Sequence, residues 1–165
     1  MKGCEDKTCL YGGETVCKDH PQIRLRGEID SLLAYAVYAL AFAKERGDRQ
    51  AADDLRDVVR VIRDLMRAEA CAVPLELNGM IGLTLDELQD YSYHPQQYLG
   101  AGHVFPDENS DMMFAVLNLL RTKVRQAERI CIAAGLGAYA NASIQKGLNR
   151  LSSAVYIIML KHSMK

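Results

Sequence analysis

No apolar run in this 165-residue sequence is long enough to cross a bilayer. The longest one near the N-terminus, Leu32 to Ala43, has charged residues on both sides and predicts a buried helix. No basic stretch leads into an apolar one at the start, so no secretory signal is expected and the sequence predicts a cytoplasmic protein. An excess of charge of one sign is missing too. Lys and Arg total 20 against 21 Asp and Glu, which excludes a general field drawing in nucleic acid or an anionic membrane. Any anion must be met by a local cluster. The five cysteines, Cys4, Cys9, Cys17, Cys71 and Cys131, are odd in number, and two lie in helical patterns, which predicts reduced thiols rather than a disulfide scaffold. No segment of length alternates with period two, so no extended sheet is expected.

What is present is helical periodicity. Ile29, Leu32, Leu33, Ala36, Val37 and Leu40 repeat on one face of a helix predicted from Pro21 to about Arg46, stopped by Gly47-Asp48. A second helix, from about Gln50 to Cys71, buries Leu55, Val58, Val59, Ile62, Leu65 and Met66 and ends before Pro74. Residues 73 to 109 are broken by Gly79, Gly82, Pro95, Gly100, Gly102 and Pro106. Within them Thr84-Leu85-Asp86-Glu87 has the spacing of a capping box and predicts a short helix over 85 to 91. A connection this long predicts a lid or wall that contacts ligand. Ser110 is the expected cap of a helix reaching about Ala134, and Asn141 that of a last helix reaching Lys161. The expected fold is all-α, a four- to five-helix bundle with ferritin-like up-down packing, in one domain: residues 1–20 a loop, 21–165 the bundle.

Two helices carry chemistry. Arg121, Arg125 and Glu128 fall at i, i+4 and i+7, so one stripe of an otherwise apolar helix holds two guanidinium groups and a carboxylate. Such a stripe suits a polyphosphate, whose oxygens guanidinium groups match in pairs; it equally suits a solvated face with an internal Arg–Glu pair. In the last helix Asn149, Ser152 and Ser153 share a face amid Leu148, Leu151, Val155 and Ile158, and face either a ligand pocket or a helix or subunit contact.

The segments Asn118 to Arg129 and Leu148 to Tyr156, with Met66-Arg67-Ala68-Glu69-Ala70, resemble the ethanolamine-utilisation type of cobalamin adenosyltransferase. Thr8 to Pro21, containing Gly12-Gly13-Glu14 and Lys18-Asp19-His20-Pro21, and then Gly27-Glu28-Ile29-Asp30, are similar to the propanediol-utilisation type. The resemblance implies an ATP:cob(I)alamin adenosyltransferase, a homotrimer of helical bundles with ATP between subunits, Mg2+ beside it and the corrin above. Carried over, Arg121 and Arg125 would hold the triphosphate, Glu128 the nucleotide and its metal ion, and Asn149 and Arg150 would complete the site. Asp30 would reach across the interface to Arg121, and Thr8, Gly12 and Lys18 would belong to a loop closing over ATP. Phe105, beside His103 and Val104, is the candidate cover for the lower face of the corrin. A flavin reductase and a cobalamin-dependent client enzyme are the further partners implied.

The sequence also departs from these types. Thr-Gly-Asp-x-Gly of the propanediol type is replaced by Lys2-Gly3-Cys4-Glu5-Asp6, Asp-Glu-x-Asn by Asp30-Ser31-Leu32-Leu33, and the Asp after Arg-Leu-Ser by Ser153. The ethanolamine type has an upstream His and Cys metal cluster; Cys4, Cys9, Cys17 and His20 are candidate replacements, with solvent-facing loop thiols as the alternative. Rival readings are a corrinoid or nucleotide carrier or sensor that keeps the fold without the chemistry, and a helical adaptor. A di-metal bundle is excluded because none of His20, His94, His103 and His162 has Glu three residues before it.

Overall fold

The structure, a computed structural model, describes residues 5–10, 12–135 and 138–164, and of 138–141 only the backbone. Four long helices carry it: α1 (Pro21–Glu45), α2 (Arg49–Cys71), α5 (Met112–Ala134) and α6 (Ala138–Ser163). Between α2 and α5 run the two-residue strands β3 (Gly79–Met80) and β4 (Leu83–Thr84) and the short helices α3 (Leu85–Tyr93) and α4 (Pro95–Leu99). Around the bundle α1 packs on α2, α2 on α6, α6 on α5 and α5 back on α1, while α3 lies against α6.

The expected all-α bundle is present, with local differences. The N-terminal segment is not a plain loop: β1 (Lys7–Cys9) and β2 (Thr15–Cys17) pair antiparallel, Thr8 opposite Val16. Three-residue strands are too short to leave a periodic signal. Gly12 and Gly13 take φ of 106° and 90° in their connection, a backbone that glycine adopts without strain. The helix of α1 starts at Pro21 as expected, with His20 Nδ1 accepting the Gln22 amide at 3.2 Å. Its buried face is Leu25, Ile29, Leu32, Ala36, Ala39 and Ala43; Val37, expected inside, is 48% exposed. The buried stripe follows Leu32, Ala36, Ala39 and Ala43 at helical spacing, which leaves Val37 on the outward side.

The capping box forms as the sequence predicts: Thr84 Oγ1 accepts the Glu87 amide at 3.3 Å and Glu87 accepts the Thr84 amide at 2.8 Å. Ser110 is not the cap of α5. It is held by Asp107, and Asp111 takes the cap, accepting the Phe114 amide at 2.8 Å. Likewise α6 begins at Ala138, three residues before the cap expected at Asn141. The last turn of α6 is pinned to two other helices: Lys161 reaches Asp54 on α2 at 2.9 Å and His162 reaches Asp111, the cap of α5, at 2.9 Å. Near its other end Gly147 leaves room for the connection to press in, since a Cβ there would lie 2.4 Å from Leu75 Cδ2.

Candidate functional site

The site grows from the seam between α5 and α6. These helices run antiparallel, so residues two turns apart on one meet residues two turns apart on the other: Arg121 stands over the Tyr156 ring at 5.8 Å, and Asn149 donates to Glu128 Oε1 at 2.9 Å. Asn118, one turn before Arg121, accepts from Arg121 Nη2 at 3.3 Å. Arg150 donates to Asn149 Oδ1 at 2.7 Å and, through its other terminal nitrogen, to Gln89 on α3. Arg150 thus braces Asn149, and Asn149 braces Glu128.

This arrangement removes the internal Arg–Glu pair as an account of the stripe. The carboxylate of Glu128 bonds to Asn149, and no ion pair among the described residues neutralises Arg121 or Arg125. Arg121 is half-buried, and burial first, then the charge of Arg125, lower its pKa from the ordinary value; Tyr156 works the other way. Its Nε is buried without a hydrogen-bond partner, as is the Nε of Arg150. Two like charges on one face, one desolvated and short of an acceptor, are stabilised by an anion placed over them.

Beside this seam lies the irregular connection. The hydroxyl of Tyr156 accepts the Val104 amide at 3.1 Å and bonds His103 Nδ1 at 3.0 Å, and the His103 ring stacks on that of Tyr156 at 6.1 Å. The next residue, Phe105, is 78% exposed. Together with Val104, Phe114 and His162 it lines an open cavity of about 410 Å³ at the end of α6. Ser153 accepts from Ser92 Oγ at 3.1 Å and helps seat α3.

The other expected residues are not brought to the seam within one chain. Asp30 is exposed on α1 and forms no ion pair with Arg121 among the described residues. Thr8, Gly12 and Lys18 lie on the hairpin, and none of them is hydrogen-bonded to the stripe among the described residues. Of the candidate metal set, Cys9 and Cys17 are exposed free thiols, His20 is occupied as the cap of α1, and Cys4 lies outside the described residues. No three His, Cys, Asp or Glu side chains among the described residues gather where a metal ion would be held. A hairpin spreads its residues along two strands, which explains why sequence proximity did not become a cluster.

Sequence reasoning missed Asn118, Tyr156 and Gln89 as parts of this site. Asn118 and Tyr156 extend the i, i+3 and i+7 spacings of residues that were singled out, so the periodicity carried a signal for them. Nothing in the sequence points to Gln89, which reaches Arg150 from a separate helix.

The fold is shared with solved variants of a PduO-type ATP:corrinoid adenosyltransferase from Lactobacillus reuteri. One, complexed with cobalamin and ATP, has a TM-score of 0.73 and covers 99% of this chain and 89% of its own; another, complexed with ATP, has 0.75 and covers 99% and 92%. Both are 17% identical in sequence. The cobalamin adenosyltransferase family profile matches residues 1–162, and the chain belongs to that family. The corrinoid adenosyltransferase EutT of Salmonella typhimurium is 33% identical over 163 residues, 97% of this chain and 60% of that protein. EutT of Escherichia coli is 32% identical over 156 residues, 93% of this chain and 57% of its own length. The chain thus spans about 60% of the length of the curated relatives it matches.

Proposed function

We propose that this chain transfers the 5′-deoxyadenosyl group of ATP to the Co(I) centre of a corrinoid. Cobalt's electron pair attacks C5′, the carbon–cobalt bond forms, the C5′–oxygen bond breaks and triphosphate leaves, with cobalt ending as Co(III). The reduced corrin is itself the nucleophile, so the protein needs to supply neither a nucleophile nor a general base. Its work is to align the two substrates and to stabilise charge growing on the departing triphosphate. The observation that carries this reading is the Arg121–Arg125 pair, half-buried on the Arg121 side and without a carboxylate partner.

On this reading Arg121 and Arg125 hold the triphosphate. Asn149, donating to Glu128 Oε1, leaves the other carboxylate oxygen for the Mg2+ that accompanies ATP. Arg150 keeps Asn149 turned to that task. Phe105, exposed at the mouth of the 410 Å³ cavity, offers an apolar surface to the corrin. Thr8, Gly12, Lys18 and Asp30 complete the site from a neighbouring copy in a homotrimer. The exposed Val37 and Tyr38 of α1 and Leu119 of the adjacent α5 are the apolar residues such an interface would cover. No described helix is long and apolar enough to cross a membrane.

The test is anaerobic turnover of the protein with chemically reduced cobalamin, ATP and Mg2+, following the loss of Co(I) absorbance. Conversion in the parent protein that falls by about a hundredfold or more in Arg125→Ala supports the reading, the scale expected when a charge stabiliser is removed. No conversion, with cobalamin still bound, would make the chain a corrinoid carrier or sensor on this fold.

A further inference from the structure

Among the described residues, Tyr156 touches both halves of the proposed site. Its ring lies under the Arg121 guanidinium, 5.8 Å from centroid to Cζ. Its hydroxyl receives the Val104 amide at 3.1 Å and bonds His103 Nδ1 at 3.0 Å, two residues of a connection that is otherwise exposed around Phe105. A half-buried backbone N–H in an irregular segment needs an acceptor, and here the acceptor comes from a helix, not from the segment's own turn. The His103 ring, stacked on Tyr156 at an interplanar angle of 20°, adds to the same contact.

We propose that Tyr156 is a positioning residue that couples triphosphate binding at Arg121 to the seating of the 103–105 segment against the corrin. This rests on reading Arg121 as a triphosphate ligand. An anion that fixes the guanidinium removes freedom from the ring beneath it, and the hydroxyl at the far end of that ring holds the Val104 amide. The segment bearing Phe105 is therefore held more firmly when nucleotide is present, and the apolar surface for the corrin forms in the nucleotide-bound protein. No rearrangement of the bundle is needed, because loss of side-chain freedom alone transmits the effect.

The experiment follows hydrogen exchange at the Val104 amide in the full chain, with and without saturating inorganic tripolyphosphate, alongside the melting temperature. In the parent protein tripolyphosphate raises the melting temperature and slows Val104 exchange by about fivefold or more, the lower end of ordinary coupling between sites. In Tyr156→Phe, which keeps the ring and loses the hydroxyl, the melting shift survives while Val104 exchanges fast in both states. In turnover assays the same variant raises KM for the corrinoid several-fold and leaves KM for ATP within about twofold, since one neutral hydrogen bond is lost far from the nucleotide. Should Tyr156→Phe fold poorly, His103→Ala leaves the Tyr156–Val104 bond in place and should keep the tripolyphosphate slowing at Val104; loss of that slowing would mean that His103, not Tyr156, carries the coupling.

Val104 exchange that is equally slow in Tyr156→Phe overturns the proposal, and so does a tripolyphosphate melting shift with no change at Val104. Equal losses for ATP and corrinoid would reduce Tyr156 to packing. A parent protein that shows the exchange coupling but no turnover would instead overturn the transferase reading and leave the coupling standing.

Discussion

The Arg26 guanidinium donates to both carboxylate oxygens of Glu69, at 2.8 and 3.3 Å, and joins the first turns of α1 to the last turns of α2. The two partners are unequally covered: the Glu69 side chain is 3% exposed and that of Arg26 32%. Removing either partner should therefore cost different amounts. Arg26→Ala leaves a carboxylate buried without its cation and is expected to lower stability by about 3 kcal/mol or more. Glu69→Gln leaves an arginine that can turn to water and should cost about 1 kcal/mol. Denaturant titration of the two variants checks the asymmetry; equal costs would mean that Glu69 is rehydrated when Arg26 is lost.

Asp111 supplies an acid-sensitive contribution. The Phe114 amide first, and then His162, hold its carboxyl below the ordinary value of 3.8, against an opposing effect of burial. A carboxyl whose folded pKa is depressed stabilises the fold fully above its unfolded value and loses that contribution as pH falls through the folded one. Asp111→Ala should cost about 1 kcal/mol at neutral pH, the usual worth of a helix cap. Melting temperatures of variant and parent should converge as the pH is taken below 3.8. A gap that persists at lower pH would assign the effect to packing.

The thiols differ in reactivity. Cys9 and Cys17 are exposed on the hairpin, whereas Cys131 is buried in α5 and its pKa is pushed up to about 11, by burial first and the Glu128 charge second. Because the thiolate is the reacting form, iodoacetamide at pH 8 should modify Cys9 and Cys17 and spare Cys131. Peptide mass mapping reads the outcome, and comparable labelling of Cys131 would show that this face of α5 opens in solution.

Asn149→Asp would replace the amide that donates to Glu128 at 2.9 Å with a second carboxylate. The expected result is a rise in KM for ATP of about tenfold or more, the scale of a lost hydrogen bond to a charged group. Unchanged ATP saturation would place the nucleotide away from this end of the seam.

Much of the scaffold was legible because long amphipathic helices repeat their apolar residues often enough to be read. The start of α1 at Pro21, the end of α2 at Cys71 and the Thr84–Glu87 capping box all follow from local chemistry that no distant contact overrides. Cap choice was less legible. Ser110 and Asp111 are adjacent and both competent, and the choice falls to Asp111 because its carboxylate also meets His162, 51 residues away in the chain. Of the site, the arginine stripe could be seen, but not that Glu128 would turn from it to Asn149, because that depends on the relative rotation of two helices. The link from Tyr156 to Val104 was hidden for a similar reason: its acceptor sits in a helix and its donor in a segment with no period at all.

The antiparallel seam also sets which parts of this chain can change length. Arg121 and Glu128 lie seven residues apart on α5, about 10 Å along the axis, and their partners Tyr156 and Asn149 keep the same separation on α6. One residue inserted between either pair would swing everything beyond it by about 100° and separate both contacts at once. Insertions and deletions should therefore be rejected between 121 and 128 and between 149 and 156. Changes in length should be tolerated around Gly100 and Gly102, where no such paired spacing has to be kept.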